Sequence, residues 1–184
     1  MPDEQDVVDA FTQDHREIER LLDLLERAGD ARVQQVMTEQ VITELVRHSV
    51  TEEQYLYPAV REQVPEGDAL ADRQIAHHAE VEVLLKDLEG MDPNDPAYRS
   101  GMSGISVKVR AHLQEEEDEV FPLLRQHADA EELRALGTKV ERAKKLAPTH
   151  PHPFAPDTPP LNKILGPGAG LVDRIRDRLT GRAG

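Results

Sequence analysis

Four apolar seams run through this sequence, and a histidine interrupts each of them. The first reads Val8, Phe11, His15, Ile18, Leu22, Leu25, in alternating steps of three and four. That spacing marks one buried face of an α-helix. The second reads Val41, Leu45, His48, Glu52, Tyr55, Ala59, and the third Ile75, His78, Val81, Leu85, Leu88. The fourth reads Ile105, Val109, His112, Glu116, then Glu119 or Val120, then Leu123. The chain must therefore pack helical faces together while carrying imidazoles and carboxylates into the same core.

Breakers say how the helices connect. Before residue 147 they fall at Gly29-Asp30, at Pro65-Glu66-Gly67 and between Gly90 and Pro96. Each is a turn or loop signal. The helical segments between them run roughly over 3–28, 31–63, 67–90 and 96–127, with a shorter fifth stretch at about 129–147. Short loops make neighbouring helices antiparallel, so an all-α, up-down-up-down four-helix bundle is expected. Pro58 and Pro122 lie inside the second and fourth segments and should kink them. From 148 to 170 prolines and glycines are too dense for a regular helix or a central strand. Beyond them Leu171, Val172, Ile175 and Leu179 outline a short amphipathic helix bearing Arg174, Arg176 and Arg178. The expected division is a bundle over 1–147 and a Pro/Gly-rich arm over 148–184.

Composition narrows the function. A net charge of −14 repels phosphate backbones and anionic lipid, which argues against nucleic-acid and membrane partners. Absence of Cys excludes disulfides, thiolate metal sites and cysteine nucleophiles, and fits a reducing cytosol. Met1-Pro2-Asp3-Glu4 lacks the basic and apolar regions of a signal peptide. No apolar run approaches the roughly 20 residues that cross a bilayer. A cytoplasmic monomer or weak homodimer is expected.

The two halves of the bundle resemble each other. His78 follows His15 by 63 residues, and His112-x-x-x-Glu116 follows His48-x-x-x-Glu52 by 64. Tyr57-Pro58 and Phe121-Pro122 share the second offset. Counted from the loops at about 1.5 Å per residue, all six side chains fall within one or two turns of one level. Histidine at i and glutamate at i+4 share a helical face. Buried carboxylates without partners cost several kcal/mol each, on the order of the penalties for unpaired ions. A pair of cations removes that cost, and imidazole with carboxylate favours iron, manganese or zinc over calcium or magnesium. The ligand set expected is His15, His48, Glu52, His78, His112 and Glu116.

Neighbouring residues are weaker candidates. His77 aligns with Asp14 and is expected at the surface or behind the ligands, though Val81 fits either register and makes His77 the alternative to His78. Tyr55 lies three residues after Glu52 on the same face, where its hydroxyl would meet a ligand carboxylate. Glu82 and Glu119 lie one turn from His78 and Glu116. None of these is expected as a principal ligand.

The pattern His15 … His48-x-x-x-Glu52 … His78 … His112-x-x-x-Glu116 resembles the signature of the hemerythrin-like, HHE cation-binding family, over about residues 5–127. The acidic chain and Pro-rich tail are similar to actinobacterial members. The resemblance implies two iron ions in an oxo- or hydroxo-bridged di-iron centre that meets O2, peroxide or nitric oxide. Oxygen-carrying hemerythrins use five histidines, two of them a turn apart on the third helix. Here the positions one turn either side of His78 are Gln74 and Glu82. Six residues with bridging carboxylates fill about eight of roughly twelve octahedral positions. More open positions favour reaction with peroxide, including catalase-like turnover, or redox and oxygen sensing. The alternative is a non-catalytic module that binds O2 or NO or holds iron.

Overall fold

In the computed structural model, residues 5–144 are described, and they contain helices and no strand. Helix α1 spans Val7–Arg27 and α2 spans Ala31–Thr51. A π-helical turn, Glu52–Leu56, carries α2 without a break into α3, Tyr57–Gln63. Helix α4 spans Gly67–Leu88 and α5 spans Pro96–Glu115. A second π-helical turn, Glu116–Val120, leads into α6, Phe121–His127, and α7 spans Ala130–Lys144. The course is up-down-up-down, with α2–α3 and α5–α6 each acting as one long rod. The short fifth helix, α7, lies against α1 and α2. The expected arm and terminal helix at 148–184 lie outside the described residues. Among those described, no helix is long and apolar enough to cross a membrane.

Caps set the helix starts. Asp6 accepts from the Asp9 N–H at 2.9 Å, and Asp9 accepts from the Asp6 N–H at 3.3 Å, a reciprocal capping box. Asp30 and Asp95 cap α2 and α5 through the N–H groups of Val33 and Ala97.

The prolines act differently from a simple kink. Pro58 and Pro122 lack an N–H, and their rings crowd the carbonyl one turn back. Immediately before each, the turn widens: the Tyr57 N–H bonds to the Glu52 carbonyl, and the Phe121 N–H to the Glu116 carbonyl, five residues back. Each rod therefore continues past its proline with its register advanced. Both widened turns begin at a glutamate of the expected ligand set. Single π-turns inside α-helices often mark functional sites.

The core has two apolar clusters. One gathers Ile18, Leu22, Leu45, Leu85, Ile105 and Leu113; the other gathers Phe11, Leu56, Val60, Leu70, Phe121 and Leu124. The buried polar residues of the four seams separate them.

The α3–α4 connection requires a glycine. Glu66 adopts a left-handed conformation at φ 58°, and a Cβ on Gly67 would lie 2.1 Å from the Val60 carbonyl oxygen. That neighbour is backbone and cannot swing aside. Gly67→Ala is expected to destabilise the bundle by about 1–3 kcal/mol, the scale of overpacking. Urea denaturation checks this, and an unchanged midpoint would show that α3 and α4 separate freely.

Candidate metal centre

His15, His48, Glu52, His78, His112 and Glu116 converge in the layer between the two apolar clusters. Their exposures are 0, 3, 0, 6, 6 and 0 %. His15 comes from α1, His48 from α2, His78 from α4 and His112 from α5, while Glu52 and Glu116 open the two π-turns. Glu52 Oε1 lies 3.1 Å from His48 Nε2 and 4.0 Å from His15 Nε2; its Oε2 lies 3.2 Å from His78 Nε2. Glu116 Oε2 lies 3.3 Å from His15 Nε2 and 3.6 Å from His112 Nε2. His78 and His112 aim their Nε2 atoms at each other, 3.0 Å apart.

Two overlapping donor groups result. His15, His48, Glu52 and Glu116 offer ligand atoms within 4.8 Å of one another, and so do Glu52, His78 and His112. Glu52 belongs to both. His15 Nε2, His48 Nε2, Glu52 Oε1 and Glu116 Oε2 are buried and have no hydrogen-bond partner among the described residues. Buried polar atoms are rarely left so. These four atoms come from the four residues of the first group, and imidazole with carboxylate is a donor set that suits iron, manganese or zinc. The residues present fit a bound metal ion.

Without metal, protons balance the carboxylates. Burial disfavours a charged His15, yet Glu116 and Glu52 outweigh it and raise its pKa to about 10. His78 is likewise raised to about 10, against burial, by Glu52 and Glu53. Burial would raise the Glu52 pKa, but His48, His15 and His78 hold it well below the usual carboxylate range. His112 is pushed down to about 4, chiefly by burial, with His78 adding repulsion. His15 and His78 are thus protonated imidazoles facing carboxylates, while His112 is neutral, and a cation can replace the two protons.

Carboxylates stand behind three of the four histidines. His15 Nδ1 meets Glu117 Oε1 at 2.8 Å, and His78 Nδ1 meets Glu53 Oε1 at 2.8 Å. His48 Nδ1 faces Asp14 Oδ2 at 3.8 Å, and Lys144 donates to Asp14 at 2.9 Å. Burial would raise the Asp14 pKa, but His48 and Lys144 outweigh it and lower it. Such partners fix which ring nitrogen is free to bind metal. Sequence reasoning missed Glu53 and Glu117. Each directly follows a ligand glutamate, at the 64-residue repeat, and that shared position was the available signal.

A hydroxyl that sequence reasoning did not name, that of Tyr57, lies at the centre. Tyr57 is fully buried and donates to Glu116 Oε1 at 2.8 Å, with His78 Nε2 at 3.1 Å and Glu52 Oε2 at 3.5 Å. Burial and the surrounding carboxylates raise its pKa well above the ordinary phenol. Tyr55 is half-buried and packs against the second apolar cluster. Three residues after Glu52 is the right step for an α-helix, but the π-turn makes it five. Tyr57→Phe leaves a buried carboxylate oxygen without its donor and is expected to destabilise the metal-free protein by about 1.5–3 kcal/mol. Urea denaturation measures it, and a loss below a few tenths would mean Glu116 finds another donor.

The remaining candidates stand aside. His77 is half-buried, with Nδ1 3.6 Å from Glu115, so His78 is the histidine of α4 that reaches the cluster. Glu119 is exposed and accepts from Arg73. Glu82 is half-buried, and neither glutamate belongs to a donor group.

Known proteins share this architecture. The model of the hemerythrin HHE cation binding domain matches residues 6–124. An uncharacterized hemerythrin-like protein of Schizosaccharomyces pombe is 30% identical over 174 residues, covering 94% of this chain and 86% of that one. A DNA nickase of Nostoc sp. is 28% identical over 146 residues, 77% of this chain but 40% of that protein. The crystal structure of a hemerythrin HHE cation binding domain-containing protein from Mycobacterium kansasii has the same fold. Its TM-score is 0.69 at 21% identity, covering 77% of this chain and 86% of that one. The bundle and the matched span agree: this chain belongs to the hemerythrin HHE cation binding domain family.

Proposed function

We propose that this chain holds two iron ions through His15, His48, Glu52, His78, His112 and Glu116, and reacts there with O2 or hydrogen peroxide. The observation that carries the reading is the convergence of four buried donor atoms, from His15, His48, Glu52 and Glu116, with no hydrogen-bond partner among the described residues. When bound, the iron pair supplies the redox chemistry, exchanging electrons with O2 or peroxide. The protein supplies the rest. Glu52 belongs to both donor groups and would tie the two positions together, while Glu116 completes the first and also faces His112. Apolar clusters above and below keep bulk water out, which strengthens every charge interaction inside. Tyr57 holds its proton on a hydroxyl aimed at Glu116, beside His78 and Glu52. It fixes those carboxylates in orientation. Ligands this deeply buried suit a substrate of two non-hydrogen atoms, such as O2 or hydrogen peroxide, better than a larger one.

Mixing the iron-loaded chain with hydrogen peroxide in a stopped-flow instrument tests the reading. Evolution of O2 over many turnovers makes the protein a catalase-like enzyme. A single stoichiometric oxidation makes it a sensor or a binding module for O2 or NO. Protein grown with ample iron that contains only zinc, or no metal, rejects the iron assignment.

A further inference from the structure

The two halves of the cluster match in their ligands but not in what stands behind them. Glu117 behind His15 and Glu53 behind His78 are equivalent in the repeat, and both meet Nδ1 at 2.8 Å. Behind His48 stands the Asp14 carboxylate, 3.8 Å from Nδ1 and held by Lys144. At the equivalent place behind His112 stands His77, ring centroids 6.0 Å apart and edge to face. Neither His48 Nδ1 nor His112 Nδ1 makes a hydrogen bond among the described residues, so the difference lies in the ion pair: Asp14 faces His48 Nδ1 at 3.8 Å, whereas the ion pair of His112 runs through Nε2 to Glu116. A histidine that ligates through Nε2 carries its proton on Nδ1 and binds better when a carboxylate accepts it. One half therefore has two carboxylate-backed histidines, and the other has one. The donor groups are unequal in the same sense: the one with His15 and His48 has four members in all, and the one with His78 and His112 has three.

We propose that the two metal positions differ in affinity, the first ion entering at His15, His48, Glu52 and Glu116, and the second binding more weakly at His78 and His112 because His77 replaces the acidic partner. This rests on the two-ion reading of the cluster. His77 is a positioning residue that acts through His112, and Asp14 is its counterpart acting through His48.

Titrating the metal-stripped full chain with Co2+, followed by calorimetry and visible absorption, tests it. Two steps are expected, the second at least about 10-fold weaker, the low end for loss of an outer carboxylate. His77→Asp should tighten the second step about 10-fold and leave the first in place. Asp14→Asn should weaken the first about 10-fold and bring the two steps together. Repulsion between the ions also separates two steps, but His77→Asp would then not move them, and that result overturns the assignment. So does a single step of two equal ions. Wild-type protein that takes up no Co2+ overturns the two-ion reading and this inference with it. His77 is half-buried at the bundle surface, so its variant is expected to fold, and its melting temperature checks that.

Discussion

Glu52→Ala should remove both ions, whereas Glu116→Ala should remove no more than one. Glu52 is the residue common to the two donor groups. Its Oε1 faces His48 and His15, and its Oε2 faces His78 and Tyr57. Without it one group falls to three donors and the other to two histidines. Glu116 belongs to the first group alone. The same change acts on the metal-free fold. Removing one member of a buried ion cluster strands the others, at a cost of about 3–5 kcal/mol. Glu52→Gln separates charge from shape, since it keeps the volume and loses the counter-charge. Elemental analysis of the purified variants reads the metal content, and urea denaturation reads the stability. Glu52→Ala protein with its full complement of iron would show that Glu52 does not bridge.

The sequence made the bundle legible because its signals were local. Apolar steps of three and four gave the helices, and three clusters of breakers gave the turns. The six converging residues were legible for a further reason: they recur at 63–64 residues. Tyr55 shows where the reading stopped. It assumed a uniform α-helical period through Tyr57-Pro58. The missing proline N–H opens a π-turn instead, and Tyr57 becomes the residue that faces inward. Its repeat partner, Phe121, has no hydroxyl and stacks on His15 at 5.2 Å. Glu53, Glu117 and Asp14 were hidden for a different reason. A charged residue beside a ligand reads as solvated surface in one dimension. Only helix packing shows that Glu117 on one rod reaches His15 on α1. Of the paired histidines, His77 and His78, periodicity allows both, and the packed bundle separates them: His78 is buried against Glu52 and His112, and His77 lies beside Glu115.

The stability gained from metal should grow as pH rises from about 6.5 towards 10. In the metal-free protein His15 and His78 have pKa values raised to about 10, above the ordinary 6.5. Their ion pairs with the buried glutamates are fully present below pH 6.5 and are lost as pH climbs through 10. Glu52 behaves in the opposite sense. Its pKa is lowered, so its contribution is present above about 4.5 and is lost as acid protonates it. The metal-free bundle is therefore most stable at roughly pH 5–7 and weakens in alkali. Metal reverses the alkaline limb, because an imidazole must lose its proton before Nε2 can bind. Each displaced proton makes apparent affinity rise about tenfold per pH unit across that range, and two are expected per chain. Scanning calorimetry of loaded and stripped protein at pH 6.5, 7.5 and 8.5 should show a widening gap in Tm. Titration calorimetry in buffers of different ionisation enthalpy should count about two protons released on loading at neutral pH. A constant gap with no proton release would mean that His15 and His78 are already neutral in the metal-free cluster, and would overturn the raised pKa values on which this prediction stands.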